Sequence, residues 1–581
     1  MSAQLKKTSK WRRALDSWVP HQWGWIIPGA FVFVLSFPHW DIWPLIFPSL
    51  VPWLWVIHAQ NGATRREIAA GILFSFLVTL GGFYWVAHAL TVYGDLPWPV
   101  GVLGLGLFGL FNQTQWVVYS VALPRVSRRL LLQPTLGRNL AHLILASFLY
   151  TGIDWLIPKL FLDTLGHSLH AAKILRQAAD LAGPHGLTFL IYFFNHALWM
   201  MIDRLKKRGE PSIWPALRMS APGFVLALLM VASTALYGIN RLNWVNTQIA
   251  QSRQGPNPNT FVFGVIQANI GDFEKLAAEK GVYYAAEGVV DSYTTLTDFS
   301  INKTPRPDFI VWPETAYPSA FRTPYTPREL ARDQRIVEYV RSRRTPLLFG
   351  GYDHVNRKDY NSLFYLTPEP LPELGGKDLL VYHKSILLLF GEYIPGAEIF
   401  PIIKRTFPQV GNFGTGQGAE VLEVKAPTGR KLKLSPVICY EALFPQYSID
   451  AARKGSQLIL NVTNDSWFGA YGEPYLHLAL TKFRSIETRL PQLRATNTGV
   501  STLILPDGEA TEPTAVMTST VLQAVVPIFD SEPTLMIRWG NWFGPLALVL
   551  ALLGSLPLVF FRTGRHRDTR DLGLGDTTHR R

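Results

Sequence analysis

Residues 434–441 read Leu434-Ser-Pro-Val-Ile-Cys-Tyr-Glu441, a short β-rich apolar run that closes on the only cysteine of the chain. Comparable runs lie at 261–267, 308–312, 346–350 and 457–462, and helix-like stretches such as 328–343 and 475–490 fall between them. Short strands alternating with helices predict an α/β domain whose helices pack on the faces of a sheet. In such sheets the working groups sit just past strand ends. Three residues stand there: Glu314 after the run 309–312, Lys384 after 379–382, and Cys439 at the end of 434–438.

A carboxylate, an ammonium and a thiol are what thiol-based acyl transfer needs. The carboxylate takes the thiol proton, the thiolate attacks a carbonyl carbon, and the ammonium holds the negative oxygen that develops. Spacing alone does not bring the three together. Each also has an ordinary alternative, a small buried apolar residue for the cysteine and a solvated loop charge for the other two. A single cysteine excludes an internal disulfide framework and a multi-thiolate metal site.

Outward from this domain the composition changes. Of the 581 residues 48% are hydrophobic, and the first half is built of long apolar stretches. Those near 23–38, 43–58, 67–90, 99–122, 139–157, 187–202, 222–239 and 542–561 predict about eight membrane helices. Several are shorter than the roughly 20 residues that cross a hydrocarbon core squarely.

The formal charge of +13 is not spread over a soluble face, which argues against a nucleic-acid partner. Lys6, Lys7, Lys10, Arg12 and Arg13 precede the first apolar run, and Arg562, Arg565, Arg567 and Arg570 follow the last. Alternate short loops collect the rest: Arg65 and Arg66; Arg125, Arg128, Arg129 and Arg138; Arg204, Lys206, Lys207, Arg208 and Arg218. The connections at 38–44 and 93–97 have none. Cytoplasmic loops collect Lys and Arg, so both termini are expected inside the cell. The expected organisation is a basic cytoplasmic N-terminus (1–22), a seven-span membrane domain (23–240), an extracytoplasmic catalytic domain (241–535), a last span (536–561) and a basic cytoplasmic tail (562–581).

Four ordered stretches carry a family resemblance: Ile310-Val-Trp-Pro-Glu-Thr-Ala-Tyr-Pro318, Tyr382-His-Lys384 through Phe390-Gly-Glu-Tyr-Ile-Pro395, Ile438-Cys-Tyr-Glu441, and Asn461-Val-Thr-Asn-Asp-Ser-Trp-Phe-Gly469. They resemble successive motifs of the nitrilase, or carbon-nitrogen hydrolase, superfamily, and in order and membrane context its apolipoprotein N-acyltransferase branch. His477, Arg484, Arg494 and Ala495-Thr-Asn-Thr-Gly-Val500 extend the likeness, as do Gly82-Phe-Tyr-Trp-Val86 and Gln177-Ala-Ala-Asp-Leu-Ala-Gly183 in the apolar half.

The resemblance implies a nitrilase-like α-β-β-α sandwich inserted before the last span of a polytopic helical membrane domain. It implies a triad of Glu314 as general base and acid, Lys384 as oxyanion stabiliser and Cys439 as nucleophile, with Glu392, Tyr440 and Glu441 in support. It also implies a phospholipid acyl donor, the α-amine of a diacylglyceryl-cysteine on an apolipoprotein as acceptor, and a bacterial inner-membrane location. Neither cofactor nor metal is expected, because a thioester passes its acyl group to an amine downhill. A monomer is expected, since no coiled-coil pattern is present.

Two positions depart from the family pattern. Leu389 stands where a proline usually precedes Phe-Gly-Glu, and Leu276 is the nearest counterpart of a tryptophan in the substrate region.

Two rival readings remain open on the residues alone. A membrane-tethered amidase or nitrilase would use the same triad on a small amide, although so many spans are excessive for a tether. A transporter or receptor would need paired charges inside the spans, where Asp154, near a span end, is the clear acidic candidate. Asn112, Gln113 and Gln115 read as interhelical hydrogen-bonding groups. The glycine-rich stretch 411–418 follows no strand and opens no helix, so it reads as a mobile loop and not as a nucleotide site.

Overall fold

The structure is a computed structural model that describes residues 21–60, 63–92, 94, 96–131, 135–207, 213–255, 258–271, 283–369, 379–389, 391–394 and 413–560. The basic N-terminal and C-terminal residues, Arg208, Leu276, Phe390 and the start of the 411–418 stretch lie outside these residues.

Among the described residues, twelve strands form two six-stranded sheets. The first runs in the order β12-β1-β2-β3-β4-β5, with β1 (Thr260–Gln267), β2 (Phe309–Trp312), β3 (Leu347–Val355), β4 (Lys358–Leu366), β5 (Leu380–His383) and β12 (Thr520–Pro527). The second runs β11-β10-β9-β8-β7-β6, with β6 (Leu422–Lys425), β7 (Lys431–Ile438), β8 (Leu458–Thr463), β9 (Gln492–Thr496), β10 (Thr502–Ile504) and β11 (Ala510–Thr511). Each sheet has three parallel strands at its centre, β1-β2-β3 and β7-β8-β9, flanked by antiparallel partners.

Side-chain alternation assigns the faces. Phe261, Phe263, Val265, Phe309, Val311 and Leu348 enter one buried cluster with Leu434, Val437, Leu460 and Val462 of the second sheet. Their neighbours Ile266, Ile310, Trp312, Leu347 and Phe349 enter another, with residues of the helices Tyr283–Ile301 and Pro327–Arg343. Period-two alternation with both faces apolar is what a sheet covered on both sides requires. At about 1.5–3 kcal/mol per buried large side chain, this double core holds the sandwich together. In the second sheet Pro445–Arg453 connects β7 to β8 and Glu473–Thr488 connects β8 to β9. Phe483 and Ile486 of the latter helix join the core of the helical half, so the outer α layer of the sandwich is also the joint between halves.

The helical half is less regular than eight straight spans. Trp214–Arg253 is long and apolar enough to cross a membrane by length and composition. Thr64–Gly82 and Trp85–Val92 pass together but bend by 67° at the break. Trp23–Leu35, Trp43–Ala59, Trp98–Asn112 and Phe543–Leu556 are shorter apolar helices. The boundary expected at 240 falls inside a helix that runs on to Arg253. The region is held by an aromatic core, in which Trp53 meets Trp116 edge-on at 5.2 Å and Tyr150 stacks on Tyr192 at 4.6 Å.

Candidate active site

Glu314 follows β2 on the turn Trp312-Pro313-Glu314, pressed against β3 at Gly350. A Cβ at Gly350 would lie 2.4 Å from the Pro313 carbonyl oxygen and 2.7 Å from the Glu314 Cα, so only glycine permits this approach. The Glu314 carboxylate is buried and fully engaged. Its Oε1 accepts from the Asn361 side-chain amide at 2.8 Å and from Lys384 Nζ at 3.1 Å, and its Oε2 accepts from the backbone N–H of Asn464 at 2.9 Å.

Lys384 leaves β5 and is 1% exposed. Its ammonium also meets Glu392 at 2.8 Å. Glu392 is anchored in turn by the Leu388 N–H at 2.8 Å and by Asn361 at 2.9 Å. Burial works against the lysine's charge, but the two carboxylates outweigh it and hold its pKa well above the usual range. The two carboxylates therefore favour the charged ammonium.

Cys439 closes β7 with φ of 51°, a left-handed backbone that a non-glycine residue adopts only where its surroundings enforce it. Burial pushes the thiol pKa well up, the Glu314 charge adds to this, and Lys384 and a hydrogen bond with Thr463 pull it back. These influences together favour the protonated sulfur, on which both Glu314 and Lys384 act electrostatically.

Glu441 braces both approaches to the sulfur. Its carboxylate accepts from the N–H groups of Ser385 at 2.6 Å and Ile386 at 3.1 Å beyond Lys384, from that of Ile438 at 2.7 Å before Cys439, and from the Tyr382 hydroxyl at 2.8 Å. Burial pushes its pKa up to about 7 despite these donors. Tyr440 points the other way, donating its hydroxyl to the Leu160 carbonyl of the helical half at 2.6 Å. Cys439 itself packs against an apolar cluster of Phe83, Trp85, Phe161, Leu443 and Leu476.

Family models for the "Apolipoprotein N-acyltransferase N-terminal domain" and "Carbon-nitrogen hydrolase" match residues 29–197 and 264–530. A Bdellovibrio bacteriovorus protein named apolipoprotein N-acyltransferase is 32% identical over 541 residues, 92% of each chain. The chain belongs to the apolipoprotein N-acyltransferase family. A Geobacter metallireducens member is 30% identical over 88% of this chain and 90% of its own. Among solved structures, an amidase from Nesterenkonia sp. AN1 aligns over 48% of this chain and 96% of its own, at 16% identity and a TM-score of 0.33. The chain is accordingly an acyltransferase of the carbon-nitrogen hydrolase superfamily, and lipoprotein N-acylation is its activity.

Of the residues expected from the sequence of this acyltransferase, Lys384 touches both Glu314 and Glu392, and Cys439 lies within electrostatic reach of Glu314 and Lys384. Arg484, by contrast, braces the turn after the cysteine, donating to the Leu443 carbonyl at 2.9 Å and pairing with Glu487 at 2.7 Å. Two residues that sequence reasoning passed over also belong to the site. Asn361 bridges both carboxylates from the middle of β4, where no local motif marks it. Asp465, inside a quoted motif, is locked by Arg494 at 2.7 Å and accepts from Thr463 at 3.1 Å, and Arg494 holds its pKa well below the usual carboxylate range against burial. Asp465, Glu473 and His477 place donor atoms within 4.8 Å of one another, but the Arg494 guanidinium already balances this cluster.

Proposed function

We propose that this acyltransferase works in two steps through an acyl thioester on Cys439, with a phospholipid as donor and the α-amine of a diacylglyceryl-cysteine on an apolipoprotein as acceptor. The observation that carries the proposal is the contact of Glu314 with Lys384 beside a strained cysteine that abuts both a charged cluster and an apolar one.

In the first step Glu314 takes the thiol proton and the sulfur attacks the ester carbonyl. The oxyanion is held by Lys384. The ester C–O bond breaks, Glu314 returns the proton to the leaving alkoxide, and a lysophospholipid departs. In the second step the amine attacks the thioester, Glu314 takes an amine proton, the C–S bond breaks, and the thiol regains its proton as the amide forms. An amide is more stable than a thioester, so no ATP is consumed.

The apolar cluster explains how a chain could come from the bilayer to the sulfur. Trp85 and Phe161 come from the helical half, Phe468 from the sheet half, and Trp85 meets Phe161 at 5.0 Å and Phe468 at 5.1 Å. With this reading goes the topology expected from the basic loops: a monomer in the bacterial inner membrane, about eight spans, both termini cytoplasmic, and residues 241–535 on the outer side.

The test supplies phospholipid and a diacylated lipopeptide to the purified enzyme, and in a parallel reaction a small amide alone. N-acylated lipopeptide with a matching quantity of lysophospholipid is expected. Hydrolysis of the small amide without any lipid requirement would overturn the reading in favour of a tethered hydrolase.

A further inference from the structure

The hydroxyl of Tyr440 donates to the carbonyl of Leu160, 280 positions away in sequence. That carbonyl and the N–H of Phe161 belong to one planar peptide unit, so fixing the N–H aims the carbonyl. The N–H of Phe161 donates to Asn112 Oδ1 at 3.0 Å, and the N–H of Leu160 donates to the same oxygen at 2.8 Å. One side-chain amide at the end of the helix Trp98–Asn112 thus grips the peptide that receives the tyrosine next to the nucleophile.

Asn112 is itself oriented. Its Nδ2 donates to Asp163 Oδ1 at 3.0 Å, and Gln113 Nε2 donates to Asp163 Oδ2 at 3.0 Å, which fixes which way the Asn112 amide faces. The segment 157–164 is fastened once more by Lys159, whose ammonium meets Asp154 at 2.7 Å and the Asp163 carbonyl at 2.6 Å. Asn112 and Asp163 are both buried. Buried hydrogen bonds in series polarise one another, and losing one partner strands the rest.

We infer that Asn112, held by Asp163, is a positioning residue for the nucleophile, acting through the Leu160–Phe161 peptide on Tyr440 and so on the Cys439 turn. The inference rests on the thioester reading above. It makes the membrane-embedded half a contributor to the rate of acyl-enzyme formation as well as a route for lipid. Neither Asn112 nor Asp163 touches the reacting atoms.

The experiment follows acyl-enzyme formation by the mass increment on the full-length protein in phospholipid micelles, over a range of donor concentrations. Asn112→Ala and Tyr440→Phe are each expected to slow the maximal rate by about tenfold or more, with little change in the half-saturating phospholipid concentration. The double variant should be no slower than the worse single one, because both break the same chain. Asn112→Asp places two carboxylates together and should also be slow. Adding Asp163→Asn exchanges the charge, restores a donor-acceptor pair, and should recover most of the rate.

Multiplying single effects, or no recovery in the exchanged pair, would overturn the relay. Should Asn112→Ala not accumulate, the same cycle with Asn112→Asp and Tyr440→Phe decides, since Tyr440→Phe removes only one hydroxyl. Failure of the wild-type protein to gain an acyl mass would instead remove the thioester reading itself.

Discussion

The two halves bury polarity in different ways. In the sheet half, buried charges meet directly: Lys384 with Glu314 and Glu392, Arg494 with Asp465, Arg484 with Glu487. In the middle of the helical half the buried polar groups are imidazoles, hydroxyls and amides, such as His142 on Ser127 at 2.7 Å and Asn195 on the Ile46 carbonyl at 2.8 Å. Charges return where the helices meet the sheets, in Asp163, in Lys159 with Asp154, and in Asp180 with Arg489 and Arg241. Glu67 with Arg125 sits toward the other end of the bundle. A buried charge costs several kcal/mol unless its partner is fixed. Fixed partners come from strand ends and from the joint, so chemistry gathers there.

The comparison can be broken most severely at Glu314. Glu314→Gln keeps the shape and removes the base, and donor turnover should fall by about 10²–10⁴-fold while the protein stays folded. An active Glu314→Gln would mean that the charges of the sheet half serve stability and not proton transfer. Asn361→Ala sharpens the same point. It strands two carboxylates that share one donor, and a loss of roughly tenfold or more in rate is expected, read with the same donor assay.

Stability against pH tests the charges in another way. Burial raises Glu441 and Glu487 from an ordinary 4.5 to about 7. The folded protein then holds more protons than the unfolded chain between these values. Stability contributed by the two carboxyls is full below about 4.5 and is lost as pH rises through about 7. The melting temperature in detergent should therefore fall by several degrees from pH 5 to pH 8, and Glu441→Gln should flatten the slope. The smallest effect is expected in the helical half. Ser127→Ala should leave turnover unchanged and lower stability by about 1 kcal/mol, measured by denaturant titration.

The same contrast governs what could be read in the sequence. Strand runs such as 434–438 and 309–312 are local signals, and a candidate group at a strand end is legible because the strand positions it. Asn361 was not legible. It lies in β4, whose start is polar, and it reaches both carboxylates only because Ser362 pairs with His383 in the antiparallel register of β4 and β5. Nothing within a few residues of Asn361 encodes that register. In the helical half the apolar stretches are plain, but the structure interrupts them at Phe83 and at Gln113, and it kinks the helix Ala179–Lys206 ahead of the 187–202 stretch at Gly183, whose φ is 62°. These breaks answer to tertiary contacts, such as Gly183 lying against Met536, which hydropathy does not contain. The role of Asn112 was half legible: interhelical hydrogen bonding was expected, but its partners lie in the segment 157–164.

The central claim is that the sulfur of Cys439 carries the acyl group. Intact-protein mass spectrometry after incubation with phospholipid and no acceptor, with Cys439→Ala in parallel, tests it most directly. A fatty-acyl increment on the wild type, absent from the variant and discharged by a diacylated lipopeptide, is the result predicted. An equal increment on Cys439→Ala, or transfer to the lipopeptide by that variant, would contradict the account.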